Sequence, residues 1–442
     1  MGRAVLAAAG VPDEPPQLRC CAMYRLLDML LRRIVRAGNL QVIDPQGVPH
    51  CYGDGVGPAV VVHVADKWLP LRLFINPHLA LGEGYMNGLL RMERGTIYDL
   101  LAFLAMSVRQ HPLPFWTTGF DAGRYLVRRI MQFNPVHRAR RNVAHHYDID
   151  GAIYDLFLDT DRQYSCAYFP NDMSLKAAQL AKKRHIAAKL ALKPGQRVLD
   201  IGSGWGGLAI YLAKVTGANV SGVTLSREQL NIANARAASE GLEQSVRFEL
   251  KDYRETDGRF DRIVSVGMFE HVGVNHYQMY FWKIRQLLAD DGVAVIHTIG
   301  RLGPPTATHP FISKYIFPGG YIPALSEMIP AIERSGMIVT DIEVLRLHYA
   351  KTLRAWRDQF LTNWDKAAAL RGEEFCRMWE FYLAASEAAF RYQDLAVFQV
   401  QIAKHIDALP VTRDYMATAE QQLLEQDGIE SYPRLVSPAS KR

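Results

Sequence analysis

A glycine-rich turn near the middle of the chain limits the possible fold most strongly. Residues 197–207 read RVLDIGSGWGG, in which an apolar run ends in Asp200 and four glycines lie within the six residues 202–207. The apolar run predicts a buried strand, and the glycines predict a tight turn that lets the backbone approach a nucleotide before a helix begins. This pattern is typical of a nucleotide-binding α/β sheet.

Strand-like and helix-like segments alternate from about residue 190 onward. This alternation predicts an α/β fold with a parallel, doubly wound, Rossmann-like sheet. A long helical insertion is expected at about 350–390. The predicted strands are 196–202, 219–225, 246–252, 260–267, 292–300, 336–347 and 395–402.

The N-terminal part has a different pattern, with short segments of both kinds. Helical periodicity in 21–40 and 99–108 predicts two helices, and 40–44, 59–66 and 71–75 are strand-like. A small α+β module is therefore expected. The predicted domains are an N-terminal α+β module (1–115), a basic helical linker (116–150) and an α/β domain (151–442).

The residues around the glycine turn favour one cofactor over another. Gly202, Gly204 and Gly207 satisfy the dinucleotide pattern, but a dinucleotide site also needs an acid at the tip of the next strand, where this chain has Thr224. Asp252, at the end of the third strand, can accept a hydrogen bond from an adenine amino group. Together these features favour S-adenosylmethionine over NAD.

A set of motifs gives the chain a specific family resemblance. In order along the chain they are NVAHHYD (142–148), YSCAYF (164–169), LDIGSGWGG, GVTLSREQ (222–229), SVGMFEHVG (265–273), HTIG (297–300), KYIFPGGYIP (314–323) and HYAKTLRAW (348–356). With them the chain resembles the cyclopropane-fatty-acyl-phospholipid synthases and the related mycolic acid cyclopropane synthases and methyltransferases. The resemblance is close over about 120–410 and looser in the first ~110 residues.

The resemblance implies a class I S-adenosylmethionine-dependent methyltransferase and a reaction. The methyl carbon adds to a cis double bond of a phospholipid acyl chain, a carbocation forms, bound bicarbonate removes a proton and a cyclopropane ring closes. A methyl or methylene branch formed from the same cation remains the alternative product.

The family pattern also implies site residues. The groups that would hold bicarbonate and serve catalysis are Cys166, Glu270, His297, Ile299 through its backbone, and Tyr349. Glu270 follows the fourth strand, and His297 and Ile299 lie at the end of the fifth, where α/β sheets place their sites. His145, His146 and His271 are candidates for capping or hydrogen-bonding roles.

Cofactor and substrate contacts are expected from further positions. The predicted cofactor residues are Tyr164, Ser165, Asp200, Gly202, Gly204, Gly206, Thr224, Leu225, Gln229, Asp252 and Tyr253. Aromatic faces stabilise cations, and the predicted substrate residues are Tyr168, Phe169, Phe269, Tyr315, Phe317 and Tyr321. No Cys/His cluster has zinc-ligand spacing, so no metal is expected.

Charge and composition indicate the partners. The chain has a net charge of +6, and residues 123–148 carry six arginines and one acid. That stretch is either a solvated helical face or a surface for an anionic membrane. The motifs of base methyltransferases are absent from the sequence, so no nucleic-acid partner is expected. The family resemblance implies that the N-terminal module (1–115) binds lipid or forms a homodimer, that 151–442 is the catalytic domain, and that the enzyme acts on unsaturated acyl chains of phospholipids. With the basic stretch, we expect a cytoplasmic enzyme that is peripheral on the cytoplasmic membrane, with anionic headgroups favoured.

One position departs from the family pattern. Ser386 stands where relatives often carry a cysteine, which indicates that this position supplies neither the nucleophile nor the base. The consequence of Ser386 for the shape of the acyl pocket stays open.

Overall fold

The computed structural model describes residues 22–113 and 151–428, together with the single residues 123 and 132. The basic stretch 123–148 and the candidates His145 and His146 therefore lie outside the described residues, apart from those two positions. Among the described residues, no helix is long and apolar enough to cross a membrane.

The N-terminal module consists of a four-stranded sheet covered by helices. The sheet order is β2-β1-β3-β4, in which β1 and β3 are parallel and the other neighbours are antiparallel. Its elements are α1 (Ala22–Ile34), β1 (Leu40–Ile43), β2 (Pro49–Tyr52), β3 (Val60–Val64), α2 (Leu69–Ile75), α3 (Pro77–Met86), β4 (Leu90–Arg94) and α4 (Ile97–Gln110).

The expectation of a strand at 71–75 was wrong, because this segment lies in α2. Pro70 stands in the first turn of the helix, where its fixed φ favours helix and its missing N–H costs nothing. Asp66 accepts a hydrogen bond from the Trp68 amide at 3.1 Å and one from the Arg72 side chain at 2.8 Å, which stabilises the start of the helix. These local signals outweigh the alternating apolar pattern.

The larger part of the chain is built on a seven-stranded sheet with the order β10-β11-β9-β8-β5-β6-β7. Its strands are β5 (Arg197–Ile201), β6 (Asn219–Thr224), β7 (Val246–Leu250), β8 (Phe260–Val266), β9 (Leu288–Arg301), β10 (Ile338–Leu345) and β11 (Leu395–Ala403). All seven predicted strands are present. The helices are α5 (Gly151–Asp155), α6 (Leu175–Leu190), α7 (Gly207–Thr216), α8 (Arg227–Ser239), α9 (Tyr277–Leu287), α10 (Leu325–Arg334), α11 (His348–Thr362), α12 (Trp364–Arg371), α13 (Glu373–Tyr392) and α14 (Asp414–Gln426).

The sheet is doubly wound, as expected, because alternate residues of its strands enter cores on opposite faces. Leu199 and Ile263 pack with α9 and α10, whereas their neighbours Val198 and Val264 pack with α6 and α7. The sheet is mixed rather than fully parallel, because β11 runs antiparallel to both β9 and β10.

Helices α11, α12 and α13 occupy the place of the expected insertion and join the two parts of the molecule. Phe381 of α13, together with Phe311, is buried in the core of the N-terminal module. Tyr85 of α3 donates a hydrogen bond to Glu380 at 2.6 Å, and Arg377 donates to the carbonyl of Met86 at 2.8 Å. The module therefore packs directly on the insertion.

Candidate active site

The glycine turn forms one wall of a cleft at the carboxyl end of β5. Gly202 has a φ of +83° and Gly204 a φ of +54°, backbone conformations that favour glycine. A Cβ on Gly202 would lie 3.0 Å from the Cβ of Met268, whereas one on Gly204 would meet nothing within 4 Å. The turn thus leaves open space beside Gly204, where a ligand can approach the backbone.

Gly206 has a different role from its neighbours. It precedes α7 with a φ of +82°, and a Cβ there would lie 2.7 Å from the ring of Phe248 and 2.9 Å from Ala233. Gly206 is not among the residues that line the cleft. A side chain at this position would collide with the packing of α7, and contact between Gly206 and the cofactor stays a prediction.

The cleft has a volume of about 150 Å³. Its lining includes every other residue predicted to contact the cofactor: Tyr164, Ser165, Asp200, Gly202, Gly204, Thr224, Leu225, Gln229, Asp252 and Tyr253. The hydroxyl of Thr224 donates to Oε1 of Gln229 at 2.9 Å, which fixes the two polar groups at the tip of β6. Arg254 donates to both carboxylate oxygens of Asp252, at 2.8 and 2.7 Å.

Asp200 gives the cleft an electrostatic preference. Its side chain is buried, and Oδ2 has no hydrogen-bond partner among the described residues. Burial raises its pKa to about 7, and nearby Lys182 opposes this rise. A buried carboxylate without a partner is costly, so the cleft fits a ligand that carries positive charge or donors. S-adenosylmethionine, with its ammonium and sulfonium groups, meets that requirement.

A second, larger cavity of about 950 Å³ lies beside the cleft. All five residues predicted for catalysis line it: Cys166, Glu270, His297, Ile299 and Tyr349. The structure thus brings together groups that are separated by as much as 183 positions in the sequence, counted from Cys166 to Tyr349.

Glu270 is held at the end of β8 by a contact to β9. Its Oε1 accepts a hydrogen bond from the Ile299 amide at 2.6 Å, whereas Oε2 is buried without a partner among the described residues. Burial raises the pKa of Glu270 to about 7, and the Ile299 amide opposes this rise. The carboxyl group is therefore poised between its two protonation states near neutral pH.

His297 lies two residues before Ile299, on the same face of β9. Its Nδ1 lies 3.1 Å from Nε2 of Gln399 on the neighbouring strand β11, and its Nε2 has no partner in the described part of the chain. Burial holds the pKa of His297 well below its usual range. Because the Gln399 amide nitrogen is a donor, the neutral imidazole carries its proton on Nε2.

The two remaining side chains of this group are also buried. Burial raises the pKa of the Cys166 thiol well above its usual range, so the group stays protonated at neutral pH. The ring of Tyr349, at the start of α11, packs against Phe390 and Trp356, with centroids 4.9 and 5.8 Å away. The protonated thiol of Cys166 is therefore not suited to act as a free base.

The cleft and the large cavity meet at a shared wall. Tyr164, Ser165, Gly267 and His271 line both spaces. The hydroxyl oxygen of Tyr164 lies 3.0 Å from that of Tyr382 on α13. Burial lowers the pKa of His271 to about 4, so this imidazole is neutral. In the described part of the chain, these four residues therefore separate a group bound in the cleft from a molecule bound in the cavity.

Two of the six rings predicted to contact the substrate line the cavity, and four do not. Phe317 and Tyr321 line it. Phe269 is fully buried in the core between the sheet and α9, although Glu270 beside it lines the cavity. Tyr168, Phe169 and Tyr315 are not among the residues that line the cavity.

Tyr168 and Phe169 contact histidines, and Tyr315 lies at the junction with the N-terminal module. The ring of Tyr168 stacks between His185 and His348, with centroids 4.1 and 4.9 Å away. Tyr315 donates a hydrogen bond to Glu83 at 2.9 Å. These three rings and that of Phe269 are not among the described residues that line the cavity, so substrate contact at these four positions stays a prediction.

The sequence did not indicate several residues of the site. Tyr382 and Phe390 line the cavity from α13, whose amphipathic pattern predicts a helix but not which residues border a cavity. Lys182 is buried on α6 and donates to Ser165 Oγ at 2.8 Å and to Gln163 Oε1 at 2.5 Å. The run AKKRH around it has the appearance of a solvated face and gives no signal of this position.

The comparisons with known proteins agree with this geometry. The model of the mycolic acid cyclopropane synthetase family matches residues 135–400. The chain is 39% identical to the cyclopropane-fatty-acyl-phospholipid synthase of Escherichia coli K12, over 74% of this chain and 84% of that protein. The chain belongs to this family.

Two further similar proteins extend the comparison. The tuberculostearic acid methyltransferase of Mycobacterium tuberculosis is 35% identical, over 89% of this chain and 93% of that protein. Among solved structures, the cyclopropane synthase MmaA2 from Mycobacterium tuberculosis aligns with a TM-score of 0.58 and 32% identity, over 62% of this chain and 99% of that one.

A further solved structure bears on the cofactor. The mycolic acid cyclopropane synthase CmaA1, complexed with SAH and CTAB, aligns with a TM-score of 0.57 and 34% identity, over 61% of this chain and 99% of that one. Family and fold together identify this cyclopropane synthetase family member as an S-adenosylmethionine-dependent methyltransferase.

Proposed function

We propose that this enzyme transfers the methyl carbon of S-adenosylmethionine to the cis double bond of an unsaturated phospholipid acyl chain and closes a cyclopropane ring. One observation carries the proposal: a large, mostly apolar cavity meets the cofactor cleft at Tyr164, Ser165, Gly267 and His271. An apolar acyl chain in the cavity would thus lie beside the methyl group of a cofactor in the cleft.

The walls of the cavity suit the demands of this reaction. An alkene is a weak nucleophile, so the site must hold it close to the methyl donor and exclude water that would quench the cation. Aromatic faces can stabilise the cation by about 2 kcal/mol or more where water is excluded. Among the described residues, the aromatic rings that border the cavity are Tyr164, Phe317, Tyr321, Tyr349, Phe381, Tyr382, Phe390 and Tyr392.

The polar groups of the cavity suit a small bound anion that accepts the proton. The Nε2 proton of His297 is available to donate to a bicarbonate oxygen. The unpartnered Oε2 of Glu270 is available, in its ionised form, to accept from the bicarbonate hydroxyl. Bicarbonate held there would accept the proton that the cation loses from the added carbon, and the electron pair of that C–H bond would close the ring.

Two protein groups are less suited to be the base. The Cys166 thiol is held protonated by burial. His297 is neutral, and its Nδ1 already interacts with Gln399. We therefore propose that the protein supplies the cage for the anion, and that the Ile299 amide orients Glu270 within it.

The proposal is tested with the purified full-length chain, S-adenosylmethionine and vesicles of an oleoyl phospholipid. The expected product is a cyclopropane acyl chain, recognised by mass spectrometry and by its upfield ring protons in NMR spectra. A methylene or methyl branch in place of the ring would identify the alternative product, for which the name of the related tuberculostearic acid methyltransferase gives a specific reason. No change in the lipid would contradict the proposal.

We further propose that the enzyme acts as a homodimer, peripheral on an anionic membrane surface on the cytoplasmic side. The support for the membrane part is the six arginines of residues 123–148 and the acyl substrate, which resides in a membrane, whereas the homodimer rests on the family resemblance alone. Basic residues near an anionic surface contribute about 1 kcal/mol each at low salt. Sedimentation of the protein with vesicles and analytical ultracentrifugation test the two parts of this proposal separately.

A further inference from the structure

Lys182 is a buried ammonium group behind the wall shared by the cofactor cleft and the large cavity. This residue of α6 is 1% exposed and is not among the described residues that line either space. Its Nζ donates to Oγ of Ser165 at 2.8 Å and to Oε1 of Gln163 at 2.5 Å, and both acceptors are neutral. Within the described ranges Lys182 forms no ion pair, whereas Lys183 beside it pairs with Asp161 at 2.6 Å.

The charge of Lys182 is kept in the interior without a direct counter-charge. Buried charges in proteins are normally paired, because an isolated one is costly. Burial lowers the pKa of Lys182 to about 8, and the carboxylate of Asp159 opposes this fall. The side chain is therefore mostly an ammonium at pH 7, and an anionic group bound near it would provide the missing counter-charge.

Lys182 determines the hydrogen-bonding direction of the Ser165 hydroxyl. An ammonium has donors only, so Oγ of Ser165 accepts from it and keeps its own proton for another acceptor. No acceptor for this proton is found in the described part of the chain. Ser165 lines both the cleft and the cavity. The hydroxyl proton is therefore available to an acceptor at the junction of the two spaces.

Gln179 supports the backbone of the same segment. It lies one turn before Lys182 on α6, and its Nε2 donates to the carbonyls of Gln163 and Ser165, at 3.1 and 3.0 Å. One side chain thus fixes the backbone of 163–165, and the other fixes its polar side chains. Because the backbone is held without Lys182, the ammonium has a role beyond mechanical support.

The residues around the junction provide both signs of charge. The buried carboxylate of Asp200 suits a cationic group, whereas Ser165 backed by an ammonium suits an anionic oxygen. The methionine part of S-adenosylmethionine carries an ammonium and a carboxylate, so it fits both. Burial and, after it, the charge of Lys182 lower the pKa of His297. The positive potential of Lys182 thus also reaches the part of the cavity where bicarbonate is proposed to bind.

We propose that Lys182 is a positioning residue that holds the Ser165 hydroxyl as a donor to a carboxylate-type oxygen at the junction of the cleft and the cavity. The ammonium touches neither ligand and acts through Ser165 and through its positive potential. The oxygen belongs either to the methionine carboxylate of the cofactor or to bicarbonate, and the second source rests on the proposed function.

Calorimetry with two nucleosides tests the cofactor as the source, without requiring turnover. S-adenosylhomocysteine carries the carboxylate, whereas methylthioadenosine has the adenosine and the sulfur but lacks the amino-acid part. If the cofactor supplies the oxygen, Lys182→Met should weaken binding of S-adenosylhomocysteine by about tenfold or more and leave that of methylthioadenosine unchanged. Lys176→Met, at an exposed position of the same helix, should leave both affinities unchanged. Equal weakening of both nucleosides by Lys182→Met would show that Lys182 only supports the wall, and would overturn the proposal.

Turnover at varied bicarbonate concentration tests the other source. If bicarbonate supplies the oxygen, Lys182→Met should raise the bicarbonate concentration for half-maximal turnover by about tenfold or more, with the affinities for both nucleosides unchanged. Unchanged affinities together with an unchanged bicarbonate dependence would overturn the proposal. If the wild type forms no methylated lipid, the proposed function fails, and the calorimetric result alone decides the role of Lys182.

A double-mutant cycle tests whether Lys182 acts through Ser165. Ser165→Ala removes the hydroxyl, so adding Lys182→Met to it should cause little further loss in the quantity that responds to the single variants. Losses that multiply in the double variant would overturn the positioning role. Lys182→Gln replaces Lys182→Met in all three experiments if the latter does not fold, as judged by circular dichroism.

Discussion

Replacing Glu270 with glutamine should stabilise the fold and weaken catalysis at the same time. Burial keeps the pKa of Glu270 at about 7, against an ordinary value of 4.5. Because the folded-state pKa is raised, this group contributes stability that is fully present below pH 4.5 and is lost as the pH rises through 7. Ionising Glu270 at pH 8 therefore costs the folded state roughly 3 kcal/mol relative to the unfolded chain.

Glutamine has the same shape and cannot ionise, so it avoids this cost. Between pH 5 and pH 8, the free energy of unfolding of Glu270→Gln should increase by roughly 2 to 3 kcal/mol relative to that of the wild type. Imperfect hydrogen bonding of the glutamine amide would cost the same free energy at both pH values, so it cancels when the two pH values are compared. The measurement is urea denaturation of both proteins at the two pH values. Glu243→Gln, a carboxylate-to-amide change at an exposed position, serves as the control.

Turnover of Glu270→Gln should decrease, whereas its stability increases. The amide presents a donor where Oε2 is proposed to accept from bicarbonate, so turnover at pH 8 should fall by about 10²-fold or more, with cofactor affinity retained. A stability difference that does not change with pH would refute the electrostatic account of Glu270. Nearly full activity would refute its place in the anion cage.

Three further predictions address the cofactor, the anion and the membrane. Gly204→Val should abolish measurable binding of S-adenosylmethionine in calorimetry, because the valine side chain enters the open space of the cleft. Gly195→Val, which also replaces a glycine of positive φ but in an exposed turn, should retain binding. Equal affinities of the two variants would mean that the glycine turn is only structural. Removing bicarbonate from wild-type assays should slow turnover and adding it back should restore it, and an unchanged rate would point to a protein side chain as the base. Binding to anionic vesicles should weaken as salt rises, and equal binding to neutral and anionic vesicles would refute an electrostatic surface.

The sheet was largely predictable because buried strands leave uninterrupted apolar runs bounded by turns. The direction of β11 could not be predicted. The run LAVFQVQI is compatible with a parallel or an antiparallel strand, and the helical insertion before it is long enough for either. The segment 71–75 was misassigned because LRLFI alternates like a strand, and the capping contacts of Asp66 become visible only in the folded chain.

The candidate site could also be predicted only in part from the sequence. Glu270, His297 and Ile299 could be placed together, because the carboxyl ends of neighbouring parallel strands meet at one edge of the sheet. Which aromatic rings border the cavity could not be predicted, since Phe269 and Phe317 are equally apolar and differ only in what packs against them. Lys182 was missed because a lysine-rich helix predicts exposure, whereas this lysine is buried and holds Ser165.

The most direct test of the central claim is a labelling experiment with S-adenosylmethionine that carries a trideuterated methyl group. The purified chain is incubated with vesicles of an oleoyl phospholipid, and the modified acyl chain is analysed by mass spectrometry and NMR. Direct methyl-carbon transfer followed by loss of one proton predicts a ring that retains two of the three deuterons. Retention of all three in a methyl branch, or an acyl chain without deuterium, would contradict ring formation at this site.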